Sequence, residues 1–205
     1  MTTDSYWDHF YSKHDTGGTQ APSDFADFIN RNFPGITQLV EFGCGSGQDA
    51  RVLGSKSKKL WAIDQSEVAI SLCKKMDHAG EYIVGDLAVL EHVLSEAAAS
   101  KEKTLLYSRF VLHALNKEDQ DQFIHLVGHN QIELLTVALE YRVLGDAELF
   151  KLYPDHDRHY VDHIQLVKQI EALGFVVAVS LQAQGLSRFK NEDPLLGRLV
   201  ASRIL

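Results

Sequence analysis

The stretch Leu39-Val40-Glu41-Phe42-Gly43-Cys44-Gly45-Ser46-Gly47 constrains the fold more than any other in the chain. An apolar run enters it, alternating glycines leave it, and Gln48-Asp49 opens a polar helix start. A buried strand that stops at glycines lets the backbone approach a ligand, because no Cβ stands in the way. Such a loop joins a strand to a helix, so strand and helix should alternate in the rest of the chain.

They do. Strands are expected at 36–42, 59–64, 81–86, 103–108 and 132–139. Helices are expected at 48–53, from the N-cap Ser66 onward, at 88–99, at 117–129 and at 160–173, with Gly174 ending the last. Two further strands, 175–181 and 195–205, have no helix between them and should pair antiparallel. The pattern predicts an α/β fold, a doubly wound and mostly parallel seven-stranded sheet with an antiparallel C-terminal hairpin. Residues 1–36 read as a helical cap, with the aromatic run Tyr6-Trp7-Asp8-His9-Phe10-Tyr11, a loop over 14–20, and a helix beginning at Pro22-Ser23-Asp24. That cap either packs its aromatics on the body or closes over a ligand as a lid. Residues 1–205 are expected to form one domain, a cap over 1–36 and a core over 37–205.

A length of 205 residues suits one sizeable core. Lys plus Arg total 20 against 28 Asp plus Glu, a net charge of -8 that disfavours nucleic acid as a partner. No basic and apolar leader opens the sequence, and no apolar run approaches the roughly 20 residues of a membrane span. With only Cys44 and Cys73 present, a reducing, cytoplasmic setting is expected.

The glycine loop excludes two ligands by its spacing. A phosphate-cradling loop ends in Gly-Lys-Ser/Thr, whereas Gln48 follows Gly47. A dinucleotide loop has glycine at its sixth position, which here is again Gln48, so a nicotinamide-dependent oxidoreductase is the weaker reading. Glu41, Asp64 and Asp86 fall at three successive strand ends. Together they suit a ligand with hydroxyls, an exocyclic amine and a positive charge, although each acid alone would be read as a helix cap or solvated loop end. This set resembles the class I S-adenosylmethionine-dependent methyltransferases, from about residue 36 onward, and so implies a Rossmann-like sheet. The resemblance implies S-adenosylmethionine as cofactor and S-adenosylhomocysteine as product. It places Gly43, Cys44, Gly45 and Gly47 under the methionine part, Asp64 with Gln65 at the ribose, and Asp86 with Leu87 at the adenine. By the same resemblance Ser108 and Arg109 line the approach to the methyl group.

Methyl transfer needs a positioned nucleophile, removal of any proton it carries, and exclusion of water. Candidates leave the fourth and fifth strands: Arg109 and His113, then Glu140-Tyr141-Arg142, then His156, Arg158 and Tyr160. The runs Ser108-Arg109-Phe110-Val111-Leu112-His113-Ala114, Glu140-Tyr141-Arg142 and Asp155-His156-Asp157-Arg158-His159-Tyr160-Val161-Asp162 resemble a subgroup associated with surface-polysaccharide synthesis. Asp157, where an aromatic is expected, and His159, where an Arg is expected, depart from it. Arg offers a planar fork for phosphate or carboxylate, so the acceptor is expected to be a small or glycan-linked anion held by Arg109, Glu140, Arg142, Arg158 and Tyr160. His156 is the first candidate for general base and His113 the second. The competing expectation is that these cations pair with Glu140, Asp155 and Asp162 to fix the loop. The ten histidines and two cysteines show no convincing metal-ligand set. A cofactor-binding sensor or partner subunit without catalysis is the main alternative, and the oligomeric state is left open.

Overall fold

The computed structural model describes residues 3–14, 21–76, 79–154 and 156–204. The expected alternation is present: α1 (Thr3–His14), α2 (Asp24–Asn32), β1 (Gln38–Phe42), α3 (Gln48–Gly54), β2 (Lys59–Asp64), α4 (Glu67–Met76), β3 (Glu81–Val84), α5 (Leu87–Ala98) and β4 (Thr104–Arg109). There follow α6 (Lys117–His129), β5 (Leu134–Arg142), α7 (His163–Ala172), β6 (Val176–Ala183) and β7 (Leu196–Ile204). Of the loop expected over 14–20, His14 is the last residue of α1, and 15–20, like Asp155, lie outside the described residues.

The seven strands form one sheet in the order β3-β2-β1-β4-β5-β7-β6. Neighbours from β3 through β5 run parallel, and β7 runs antiparallel to both β5 and β6. The doubly wound sheet with its antiparallel hairpin is therefore the observed fold. Every residue of β1 is buried, as a strand covered on both faces requires. The edge strand β6 leaves Val176 exposed. One core packs β-strand side chains such as Val40, Ile63 and Leu106 against Leu90, Phe123 and Ile170 of α5, α6 and α7. The other packs Leu39, Ala62 and Leu105 against Phe25, Ala50 and Ile70 of α2, α3 and α4.

Several boundaries shift by a residue or more, and two of the shifts have a plain physical cause. The fifth strand runs on through Glu140, Tyr141 and Arg142 because these residues pair with Arg198, Gly197 and Leu196 of β7. The last helix starts at His163, not at 160, because Asp162 caps it by accepting from the Gln165 N–H at 3.0 Å, while Val161 bridges to Val143. Ser66 does cap α4, accepting from the Ala69 N–H at 3.1 Å.

Candidate active site at the strand ends

Parallel strands bring their C-terminal ends to one edge, and β1 to β5 place every candidate residue up to Arg142 there. In the 43–47 loop, Gly43, Gly45 and Gly47 have φ of 80°, 52° and 79°, the left-handed region that glycine occupies without strain. A Cβ on Gly43 would stand 1.9 Å from Val111 Cγ2. One on Gly45 would stand 2.6 Å from the Tyr11 hydroxyl. The loop is thus bare backbone pressed between the β4 exit and α1.

The three acids behave differently. Glu41 is 3% exposed, and among the described residues its Oε2 has no hydrogen-bond partner. Burial raises its carboxyl well above the usual range, and the Asp49 charge adds to this against the opposing Arg109 cation. Asp64 is held by backbone, Oδ2 accepting from Gly45 N–H at 2.8 Å and Oδ1 from Ser66 N–H at 2.9 Å. Burial raises it too, and those two N–H groups resist the rise. Asp86 is exposed and caps α5, Oδ1 accepting from Ala88 and Val89. Only Oδ1 serves the helix, which leaves Oδ2 outside the cap.

Around these acids, Leu87 is buried in the core below Asp86, and Gln65 is half-buried beside Asp64. The Cys44 side chain points into the core beneath the loop, where its thiol and that of Cys73 both face the Gly45 carbonyl. Cys44 is therefore a small buried filler, raised well above the ordinary thiol range by burial. Ser108 is fully buried and donates to the Phe42 carbonyl at 2.8 Å, tying the end of β4 to the entry of the glycine loop.

These features fit S-adenosylmethionine. An orphaned buried carboxylate oxygen beside bare glycines calls for a cationic donor such as an α-ammonium, and Asp64 and Asp86 offer acceptors at the next two strand ends. When bound, that cofactor supplies an electrophilic methyl group on a sulfonium.

The cations of β4 and β5 are mostly consumed inside the protein. Glu140 is fully buried, accepting from Arg109 Nε at 2.9 Å and from Arg198 Nε at 2.5 Å. Arg142 lies buried between Asp146 and Glu192, at 2.7 and 2.5 Å. Arg158 is different. Its guanidinium donates to the carbonyls of His156 and Tyr153 at 2.8 and 2.6 Å, and among the described residues its buried Nε has no partner and no carboxylate pairs with it. Burial and the nearby Arg142 charge lower its affinity for its proton.

His113 is buried and its Nδ1 receives the Arg142 N–H at 3.3 Å. Burial, then Arg142, pushes it well below the ordinary histidine range. His156 stacks on Tyr6 with ring centroids 5.2 Å apart and meets Trp7 edge-on at 4.8 Å. Burial and the Arg158 cation lower it to about 4. Both rings are neutral at pH 7, and His156 is a weak base. Tyr160 is half-buried with the Lys151 ammonium over its ring at 5.7 Å. Of the two departures from the subgroup pattern, His159 Nε2 lies 3.4 Å from Asp157 Oδ2, and both are exposed.

Three features carry no mark in the sequence. Phe110 adopts φ 61°, a strained setting for a side chain other than glycine, and carries Arg109 over its ring at 4.5 Å. Asp49 is buried and accepts from Ser23 N–H, Ser23 Oγ and Tyr107 Oη at 2.7–2.8 Å, fixing α2 to α3 behind Glu41. Glu192, from the β6–β7 connection, balances Arg142 across 50 residues. A concavity lies between α6 and α7, lined by Leu112, Gln120, Ile124 and Leu166. Over the edge itself lies α1. Among the described residues, no group of three or more His, Cys, Asp and Glu is placed to hold a metal ion, and no helix is long and apolar enough to cross a membrane.

Comparison with known proteins adds the following. Residues 40–127 match the family model of a methyltransferase domain. No curated protein matches the sequence. Among solved structures, a SAM-dependent methyltransferase from Anabaena variabilis is 13% identical with a TM-score of 0.70, over 99% of this chain and 96% of that one. Magnesium protoporphyrin IX methyltransferase from Synechocystis, solved with bound SAM, is 13% identical with a TM-score of 0.62, over 99% and 98%. A 1,6-didemethyltoxoflavin-N1-methyltransferase from Burkholderia thailandensis, solved with 1,6-didemethyltoxoflavin and S-adenosylhomocysteine, is 10% identical with a TM-score of 0.65, over 98% and 87%. At such identities the likeness is one of fold.

Proposed function

We propose that this chain, an S-adenosylmethionine-dependent methyltransferase by its methyltransferase domain, methylates a small or glycan-linked anionic acceptor held at Arg158. S-adenosylmethionine is its cofactor. The observation that carries the acceptor reading is the Arg158 guanidinium, which has carbonyl partners, a partnerless buried Nε and no carboxylate among the described residues. Such a cation meets a carboxylate or phosphate at low desolvation cost, since most of that cost is already spent on folding. The small-molecule acceptor of the Burkholderia neighbour is in keeping with this class.

In this reading Glu41 receives the ammonium, the 43–47 loop lies under the methionine chain, and Asp64 with Gln65 and Asp86 with Leu87 flank the nucleoside. Ser108 holds the loop from behind. Arg109 and Arg158 face the acceptor, while Glu140 and Arg142 fix their positions and Tyr160 lines the wall. A histidine lowered to about 4 does not take a proton from an unactivated hydroxyl at pH 7. His156 therefore orients an acceptor atom that is already ionised or carries a loosely held proton, and His113 supports the strand end behind it. Residues 1–36 act as the cap of a single domain and exclude water over this edge. The free thiols Cys44 and Cys73 suit a reducing compartment such as the cytoplasm.

Titration calorimetry with S-adenosylhomocysteine tests the cofactor part, and absence of binding would overturn it. Methyl transfer to paired acceptors with and without a carboxylate or phosphate tests the rest. Equal turnover of the neutral member would remove Arg158 from acceptor recognition. A sensor without turnover would bind the cofactor and methylate neither.

A further inference from the structure

The two ends of one carboxylate lead to α1. Asp64 holds the Gly45 N–H with one oxygen and the Ser66 N–H with the other. From above, α1 touches both of those turns. Its Tyr11 hydroxyl sits against Gly45, 2.6 Å from the position of an added Cβ. One helical turn earlier, Asp8 Oδ1 accepts from Ser66 Oγ at 2.6 Å and from Val68 N–H at 3.3 Å. Asp8 thus caps the N-terminus of α4 from outside the helix, where backbone N–H groups and the helix dipole favour a carboxylate. The same Ser66 Oγ accepts from Ala69 N–H, so its hydroxyl proton is free to point at Asp8.

No described side chain of α1 belongs to either hydrophobic core. Its aromatics pack instead on the 153–156 segment, Phe10 against Tyr153 and Tyr6 and Trp7 against His156. These ring contacts are broad and adaptable, whereas the Asp8 contact is directional and charge-assisted. Asp64 is only 8% exposed, and α1 lies against both of the turns that hold it.

We propose that Asp8 is a positioning residue, the latch that holds α1 over the cofactor site through Ser66 and sets how fast the cofactor exchanges. The inference rests on the reading that S-adenosylmethionine binds at the 43–47 loop and Asp64. A latch closed with and without ligand changes rates of entry and exit more than affinity, so the dissociation rate is the quantity to read.

The test is stopped-flow release of S-adenosylhomocysteine from wild type, D8A and D8N, beside thermal melts of the cofactor-free proteins. Losing a charged cap should speed release from D8A about tenfold, which is ~1.4 kcal/mol. The melting temperature should move little, because Ser66 still caps α4 through the Ala69 N–H and no described residue of α1 belongs to either core. D8N should recover much of the slow release, since its amide oxygen still accepts from Ser66 and Val68. Release from D8A at the wild-type rate overturns the latch. So does a melting temperature that falls in step with faster release, which would make Asp8 a general structural residue. A wild-type protein that does not bind S-adenosylhomocysteine would overturn the cofactor reading instead.

Discussion

The two halves of the strand-end edge solve opposite electrostatic problems. At β1, β2 and β3 the protein gathers carboxylates and leaves one of them, Glu41, with an unpartnered buried oxygen. At β4 and β5 it gathers guanidinium groups and neutralises most of them, Arg109 and Arg198 by Glu140, and Arg142 by Asp146 and Glu192. Buried charge left uncompensated is costly, so where it persists a ligand is its natural partner. By that criterion Glu41 and Arg158 are, among the described residues, the charges we propose for ligands, while Glu140, Asp146 and Glu192 are framework.

Breaking the framework should have the largest effect. Glu140→Ala strands Arg109 and Arg198 in a buried setting, and denaturant unfolding should show a loss of about 3–5 kcal/mol. A loss under ~1 kcal/mol would mean the pair is worth no more than a surface contact. Arg158→Ala should leave stability nearly intact and lower kcat/KM about 100-fold with an anionic acceptor. Unchanged S-adenosylhomocysteine affinity in that variant would sharpen the division of the edge into two halves, and a parallel loss would erase it.

Glu41→Gln probes the other half and should act in two directions. In the folded chain the Glu41 carboxyl holds its proton more tightly than in the unfolded chain, so stability falls as pH rises above the unfolded value of about 4.3. At pH 7 glutamine removes that penalty, and the cofactor-free protein should gain about 1 kcal/mol. Cofactor affinity should meanwhile drop about tenfold for loss of a charged partner. A variant that binds as wild type would show that the orphaned oxygen serves no ligand.

The smallest effect concerns His156 and His113. Both are lowered in the folded state, so their contribution is complete above pH ~6.5 and is lost as pH falls below it, for His156 toward about 4. His156→Asn should flatten the acid side of a melting-temperature profile. A profile with the same slope would place the titration elsewhere.

The halves also differ in how far the sequence discloses them. Gly43, Gly45, Gly47 and the strand-end acids lie within short local spacings, and the alternation of strand and helix fixes where each spacing points. Asp64 and Ser66, two residues apart, already contain their hydrogen bond. On the other side, Glu140 meets Arg198 across 58 residues and Arg142 meets Glu192 across 50. Nothing local distinguishes a guanidinium that will find such a partner from one that will not. Arg142 and Arg158 look alike in the sequence and stand apart only in the folded chain. The left-handed Phe110 was equally hidden, because a phenylalanine carries no mark of positive φ.

The strand order has a consequence for how the chain is made. β7 lies between β5 and β6, although it follows both in the chain. During synthesis β5 emerges with one edge bare and β6 with no neighbour, and both wait for residues 196–204 to leave the ribosome. The same late strand delivers Arg198 to Glu140. Closing the open edge and balancing the buried charge are a single event in time, so a nascent chain stalled before it carries both hazards at once.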